Sequence, residues 1–348
     1  MRARPLLTLL ATASAALVVA AGAEAQVWAK PSTAPNPQPP QHGVQEKKQQ
    51  VGLLLRVIAA PDAPANLPAD APLPDAPLAD APVADGPTPE APATPDAPAA
   101  TPSAGLVGAQ DRLRRATADA ATNGATISVA VYDRDTHEMV TNGNTQIVGT
   151  ASVAKLFIAD DLLLQEAQGK TKLSPEDRQA LDVMLQSSDD GAAERFWGQD
   201  GGDAIITHIA GRYGLTATTP PNDGRWWNTF SSAPDLIHYY DELLNGSGGL
   251  PPERARIIVN DLAASTPNGA DGYPQRFGIP DGLYAEPVAV KQGWMCCIGP
   301  AWMHLSTGVI GADRRYIMVI QSLQPTDDAT ARQTITQAVK TIFPAGRI

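Results

Sequence analysis

The chain has 348 residues, a net charge of −11 and 43% hydrophobic residues, enough for one sizeable core with sequence left over. The acidic balance excludes nucleic acid as an expected partner. Five histidines without ligand spacing argue against a metal centre, and two cysteines, the neighbours Cys296 and Cys297, are too few for a disulfide framework.

The first segment reads as an export signal over residues 1–25. Arg2 and Arg4 precede an apolar run from Leu6 to Ala21, and Ala23-Glu24-Ala25 places cleavage before Gln26. A retained anchor is the alternative, although a run of about sixteen apolar residues is short for a bilayer span. No cysteine lies near the cleavage point, so lipid attachment through cysteine is not expected. Residues 26–103 form the expected disordered linker. Within it, Pro61 to Ser103 repeats units such as Pro-Asp-Ala-Pro, which favour extended polyproline conformations and cannot bury a core. The linker is either a spacer that holds a domain away from a membrane, within a cell-wall layer, or a solubilising tail. A secreted or cell-envelope location, outside the cytoplasmic membrane, follows for the folded part, residues 104–348.

Residues 110–121 read as a helix, 127–131 as a strand, and 138–141 as its partner across a turn. Ser152 to Gln168 is apolar nearly all round, as in a helix at the middle of a domain. Ser174 and Pro175 supply the cap and first position of another helix, which ends near Gln186-Ser187. Helical stretches follow at 193–198, 204–213, 234–244 and 253–263. Strands are expected at 288–291, 302–310 and 316–323, then a helix from 328 to 342. The order predicts an α+β fold: one antiparallel sheet formed from both ends of the domain, packed against a helical lobe.

Three polar motifs carry the chemistry. Ser152-Val-Ala-Lys155 puts a hydroxyl and an amine on one helical face. There the lysine can take the serine proton if burial and a second cation, such as Lys291, lower its pKa. The bland alternative is a capping Ser152 and a Lys155 that snorkels to solvent. Ser188-Asp189-Asp190 lies between helices, as a cap or as a second hydroxyl that relays a proton with Asp189 bracing the loop. Lys291-Gln292-Gly293 ends a short strand, as an ordinary charged edge or as a place where a substrate backbone lies close and a carboxylate meets the lysine.

In these motifs and their settings, the chain from Gln110 onward resembles the penicillin-recognising serine enzymes, most closely class A β-lactamases, whose pattern is Ser-x-x-Lys, Ser-Asp-Asn and Lys-Thr-Gly. The resemblance implies Ser152 as nucleophile, Lys155 as proton acceptor and Ser188 as relay. It further implies substrate contacts at Asp190, Lys291, Gln292, Gly293 and Trp294, with the N–H groups of Ser152 and Trp294 as oxyanion hole. No cofactor or metal is implied; the partner is a β-lactam or a peptidoglycan peptide. Departures stand beside the matches. Asp190 replaces an amide, Gln292 a threonine, and the loop from Thr218 to Trp227 lacks the Glu that activates the deacylating water. Asp223 is its only acid, better suited to an Asn-Asp-Gly turn than to a base.

The expected function is therefore a serine acyl-transfer hydrolase with slow deacylation. The alternative is a catalytically silent protein of this fold that binds peptidoglycan or a protein partner, with Trp226, Trp227, Trp294 and Trp302 as contacts or as core. Cys296 and Cys297 are expected as buried thiols, with an adjacent-pair disulfide as the oxidising-compartment alternative.

Overall fold

The computed structural model describes residues 105–348. The expected export signal over 1–25 and linker over 26–103 lie outside the described residues.

Helix α1 (Ala109–Thr122) leads into β1 (Thr126–Asp133) and β2 (Glu138–Thr141). A two-residue strand β3 (Val148–Gly149) precedes a 3₁₀ turn at Ala151–Val153 and α2 (Ala154–Ala167). The helical lobe continues with α3 (Pro175–Gln186), α4 (Asp190–Gln199) and α5 (Asp203–Tyr213). Beyond β4 (Phe230–Ser231), which pairs with β3, come α6 (Ala233–Asn245), α7 (Pro252–Ala263) and the short α8 (Ile279–Gly282). The chain closes with β5 (Val288–Ile298), β6 (Ala301–Ile310), β7 (Tyr316–Gln324) and α9 (Asp328–Ile342).

The five long strands form one antiparallel sheet in the order β2-β1-β7-β6-β5. Strands from both ends of the domain meet where β1 pairs with β7, which is the α+β architecture expected from element order. Each face of the sheet buries its own apolar layer. On one side Leu113, Ile127, Val129, Ile335 and Val339 join α1 and α9 to the strands. On the other, Leu305, Val309 and Val319 meet α2, α6 and the rest of the helical lobe through Phe157, Ile158 and Tyr240.

Local chemistry explains the element ends. Ser174 accepts from Asp177 N while Asp177 returns a carboxylate to Ser174 N, a reciprocal cap with Pro175 at the first helical position. Ser232 and Asp327 cap α6 and α9 through one backbone bond each, accepting from Asp235 N and Thr330 N.

Strand β5 departs from expectation. It runs to Ile298 rather than ending at Lys291, so Lys291-Gln292-Gly293 is strand interior at the edge of the sheet. Gln-Gly reads as a stop, but pairing along β6, with Lys291 opposite Thr307 and Trp294 opposite His304, carries the strand through it.

Candidate active site

The site lies where the Ser152 turn, the α3–α4 junction and β5 converge. Ala151 takes φ +46°, a left-handed conformation unusual for a residue with a Cβ, and it immediately precedes the 8%-exposed Ser152. The Ser152 hydroxyl caps no helix. Instead Lys155 Nζ stands 2.8 Å from its Oγ. Lys155 is fully buried and does not snorkel.

Lys155 Nζ also reaches the Ser188 carbonyl at 2.7 Å and Asp190 Oδ1 at 2.5 Å. Three acceptors match the three donors of an ammonium. Burial nevertheless pushes its pKa below the ordinary lysine value, against the pull of Asp190 and, more weakly, Asp189 and Asp271. The Trp226 ring centroid lies 4.5 Å from the same nitrogen, closing its remaining side with an aromatic face.

Ser188 is buried, with φ +58°, and its hydroxyl accepts from Lys291 Nζ at 2.5 Å. The cap of α4 is its neighbour Asp189, whose carboxylate accepts from Ala192 N at 2.7 Å. The two lysines thus each hold one serine hydroxyl. Lys291 is pushed further down than Lys155, first by complete burial and then by the neighbouring Lys155 charge.

Two residues expected to contact substrate stand elsewhere. Successive strand residues face opposite sides, so Gln292 points away from Lys291. Its amide nitrogen donates to the carbonyls of Gln275 and Phe277 at 3.0 and 2.6 Å, in a buried position. Gly293 provides a close approach, but to the chain itself: a Cβ there would lie 2.5 Å from the Thr150 carbonyl. Its smallness lets β5 press against the turn that carries Ser152.

In front of Ser152 opens a cavity of about 230 Å³, walled by Asp190, Trp226, Trp227, Asp271, Trp294 and Met295. Asp223 lies outside it, with its carboxylate bonded to Arg225 N and Asn228 Nδ2. Trp302 also lies outside, stacked on His304. Asp271 belongs to none of the three sequence motifs. It sits on the loop between α7 and α8, which the Ala270 N–H ties to the Ser187 carbonyl at 2.7 Å beside the second motif. Asn268-Gly269 signals the turn, but no local pattern aims that turn at the cleft.

Beyond Met295, the expected buried thiols prove to be a disulfide between Cys296 and Cys297, exposed near the tip of the β5–β6 hairpin. Among the described residues no cluster of three His, Cys, Asp or Glu side chains forms a metal site.

No protein-family model matches the chain. Proteins named "Putative lipoprotein LppW" from Mycobacterium bovis and Mycobacterium tuberculosis are each 62% identical to it over 348 residues, covering all of both chains. The chain belongs to the LppW family. Solved structures extend the likeness at the level of fold. PBP-A superimposes with a TM-score of 0.56 at 17% identity, covering 69% of this LppW-family chain and 96% of its own. The β-lactamase from Streptomyces albus G gives 0.53 at 18% identity, with 68% and 99% covered. A β-lactamase from Chitinophaga pinensis gives 0.55 at 15%, with 68% and 100% covered. The LppW family therefore has the β-lactamase fold.

Proposed function

We propose that the protein is an envelope serine acyl-transfer enzyme in which Ser152 is acylated and the acyl group leaves slowly. The single observation that carries this reading is Lys155 Nζ at 2.8 Å from Ser152 Oγ, buried and next to a second lysine that holds Ser188. A buried amine at that distance is placed to take the serine proton.

Lys155 first loses one proton to solvent, by way of the exposed Asp190 carboxylate. Ser152 Oγ then attacks the carbonyl carbon, and its proton passes to the Lys155 amine. Lys155 lies close to Ser188, whose hydroxyl hands a proton to the departing nitrogen as the C–N bond breaks and is reprotonated from the lysine pair. The N–H groups of Ser152 and Trp294 are the proposed donors to the carbonyl oxygen.

Slow release follows from the wall opposite the serine. Where a deacylating base would be useful, the Trp226 ring covers Lys155, and the loop acid Asp223 points elsewhere. The PBP-A structures include an acyl-enzyme complex with penicillin G, an adduct of the same type on a chain of the same fold.

An envelope location accords with the lipoprotein name of the relatives and with the exposed Cys296–Cys297 disulfide, which persists in oxidising compartments. Both cysteines of the chain are used in that bond, and neither stands in the N-terminal segment. β-Lactams and cell-wall peptides are the proposed acyl donors.

Incubation with labelled penicillin and with a neutral activated ester, p-nitrophenyl hexanoate, followed by intact mass, tests the reading. An adduct that maps to Ser152 and is lost in Ser152→Ala is expected; no adduct from either donor overturns it. One observation favours a second reading, a silent wall-binding protein: Asp190 completes the ammonium coordination of Lys155 and so opposes its action as a base. Wall binding retained by Ser152→Ala, with an unreactive parent, would select that reading.

A further inference from the structure

We infer that the site is selective for an acyl donor with a cationic group and discriminates against one with a carboxylate. The charge preference is set by Asp190 and Asp271. This rests on the acyl-transfer reading for the bond attacked, but not for the charge of the ligand.

Among the described residues, the cavity in front of Ser152 has two carboxylates and three indoles in its wall, and no Lys, Arg or His. Both nearby lysines stand behind that wall. Lys155 is fully buried and already has three acceptors, and Lys291 is 1% exposed and held by Ser188. A substrate carboxylate entering the cavity would find neither ammonium exposed and would meet two like charges instead. The residue next to Lys291 offers no hydroxyl either, because Gln292 faces the opposite side of the strand.

A cation meets the reverse situation. Asp271 is solvent-exposed and, among the described residues, forms no ion pair with a basic side chain. One oxygen accepts from Tyr273 N at 2.9 Å, which fixes the carboxylate at the rim. Asp190 presents an exposed side chain whose Oδ1 alone is committed to Lys155. Trp226 is buried with its face on Lys155 and Trp294 stacks on Tyr273, so the aromatic face left for a cation is that of Trp227, whose ring already has the Arg225 guanidinium 5.6 Å from its centre. Peptides with a free side-chain amine fit this chemistry; an anionic β-lactam fits it poorly.

Two measurements test the inference separately from acylation. Calorimetric titration of Ser152→Ala uses a matched series of dipeptide amides: N-acetyl-lysyl-, N-acetyl-norleucyl- and N-acetyl-glutamyl-alanine amide. The lysyl compound is expected to bind at least tenfold more tightly than the glutamyl one at low salt, with the norleucyl compound between them. The difference should shrink as salt screens it and fall to a few-fold in Ser152→Ala with Asp271→Asn. Equal binding across the series, or tighter binding of the glutamyl compound, overturns the inference. The second measurement compares Ser152 acylation rates for the p-nitrophenyl esters of 6-aminohexanoic, hexanoic and adipic acids. A cationic, neutral, anionic order supports the inference. Equal rates overturn it while leaving the acyl-transfer reading intact, whereas reaction with none of the three sinks that reading and leaves the titration to decide the charge preference.

Discussion

Two of the buried ionisable groups on helix α2, Lys155 and Asp160, have opposite fates. Asp160 is fully buried and surrounded by its partners: Arg212 Nη2 at 2.7 Å, Tyr213 Oη at 2.5 Å and Tyr239 Oη at 3.2 Å. Burial raises its pKa and Arg212, itself 19% exposed, opposes the rise, so the carboxylate is held by residues of the helical lobe alone. Lys155, five residues earlier, is as deeply buried, but its partners are a hydroxyl that opens on a cavity and a carboxylate whose side chain is 72% exposed. Burial of charge alone does not mark a functional site, because structural clusters have it too. What distinguishes Lys155 is that its neighbours are also accessible to a ligand.

Substitutions can break or sharpen that comparison. The largest effect is expected for Lys155→Met. Ser152 acylation, followed by intact mass, should fall on the order of 10³-fold, while the melting temperature stays constant or rises because a desolvated ammonium has been removed. A collapse of stability would show that the two clusters are alike after all.

Asp160→Ala should do the opposite. It leaves a mostly buried guanidinium without its counter-charge, a loss of up to about 3–5 kcal/mol. At roughly 2–4 °C per kcal/mol for a domain of this size, calorimetry should show a clear fall in melting temperature. Acylation of the protein that remains folded should be preserved.

Gly293→Ala tests the contact between β5 and the Ser152 turn. The new Cβ must push back the Thr150 carbonyl. A loss of about 1–3 kcal/mol in denaturant titrations is expected, together with an acylation rate lowered by about 10²-fold through misplacement of the serine.

Asp190→Asn should sharpen the picture of Lys155. The carboxylate raises the lysine pKa that burial lowers, so its removal lowers that pKa further and enlarges the free-amine fraction at neutral pH. The pH profile of acylation should move toward acid, with a gain of up to about fivefold at pH 7, since the lost partner is exposed, and no gain at high pH, where the amine is already free. Smallest of all, Asp223→Ala should leave acylation rate and adduct lifetime within about twofold of the parent. A longer-lived adduct would restore Asp223 as a deacylating base.

Much of the architecture was legible in the chain because it depends on local periodicity. The cap at Ser174-Pro175, the alternation of β1 and the spacing of Ser152 and Lys155 each depend on a few adjacent residues. The misread parts depend on partners far away in sequence. Gln-Gly in β5 reads as a strand end because the ladder to β6, which carries the strand onward, is supplied across the hairpin, with Gly293 opposite Leu305 and Trp294 opposite His304. The motif places Gln292 at the substrate, whereas strand pleat sets which side it faces. Asp271 reaches the cleft on a loop tied to the end of α3 by Ala270 N–H to the Ser187 carbonyl and by Thr266 and Gln275 to the Gln186 carbonyl, across eighty residues or more. Cys296 and Cys297 were expected inside; the hairpin tip sets them outside, bonded to each other.

The indoles around the cavity have an optical consequence. Trp226, Trp227 and Trp294 are three of the six tryptophans in the chain, and indole emission depends on how much water and charge surround the ring. An occupant in front of Ser152 displaces water from Trp227 and Trp294 together, and proton loss from Lys155 changes the charge beside Trp226. The protein thus carries its own reporter: emission wavelength for occupancy, and pH-dependent intensity for the state of the lysine.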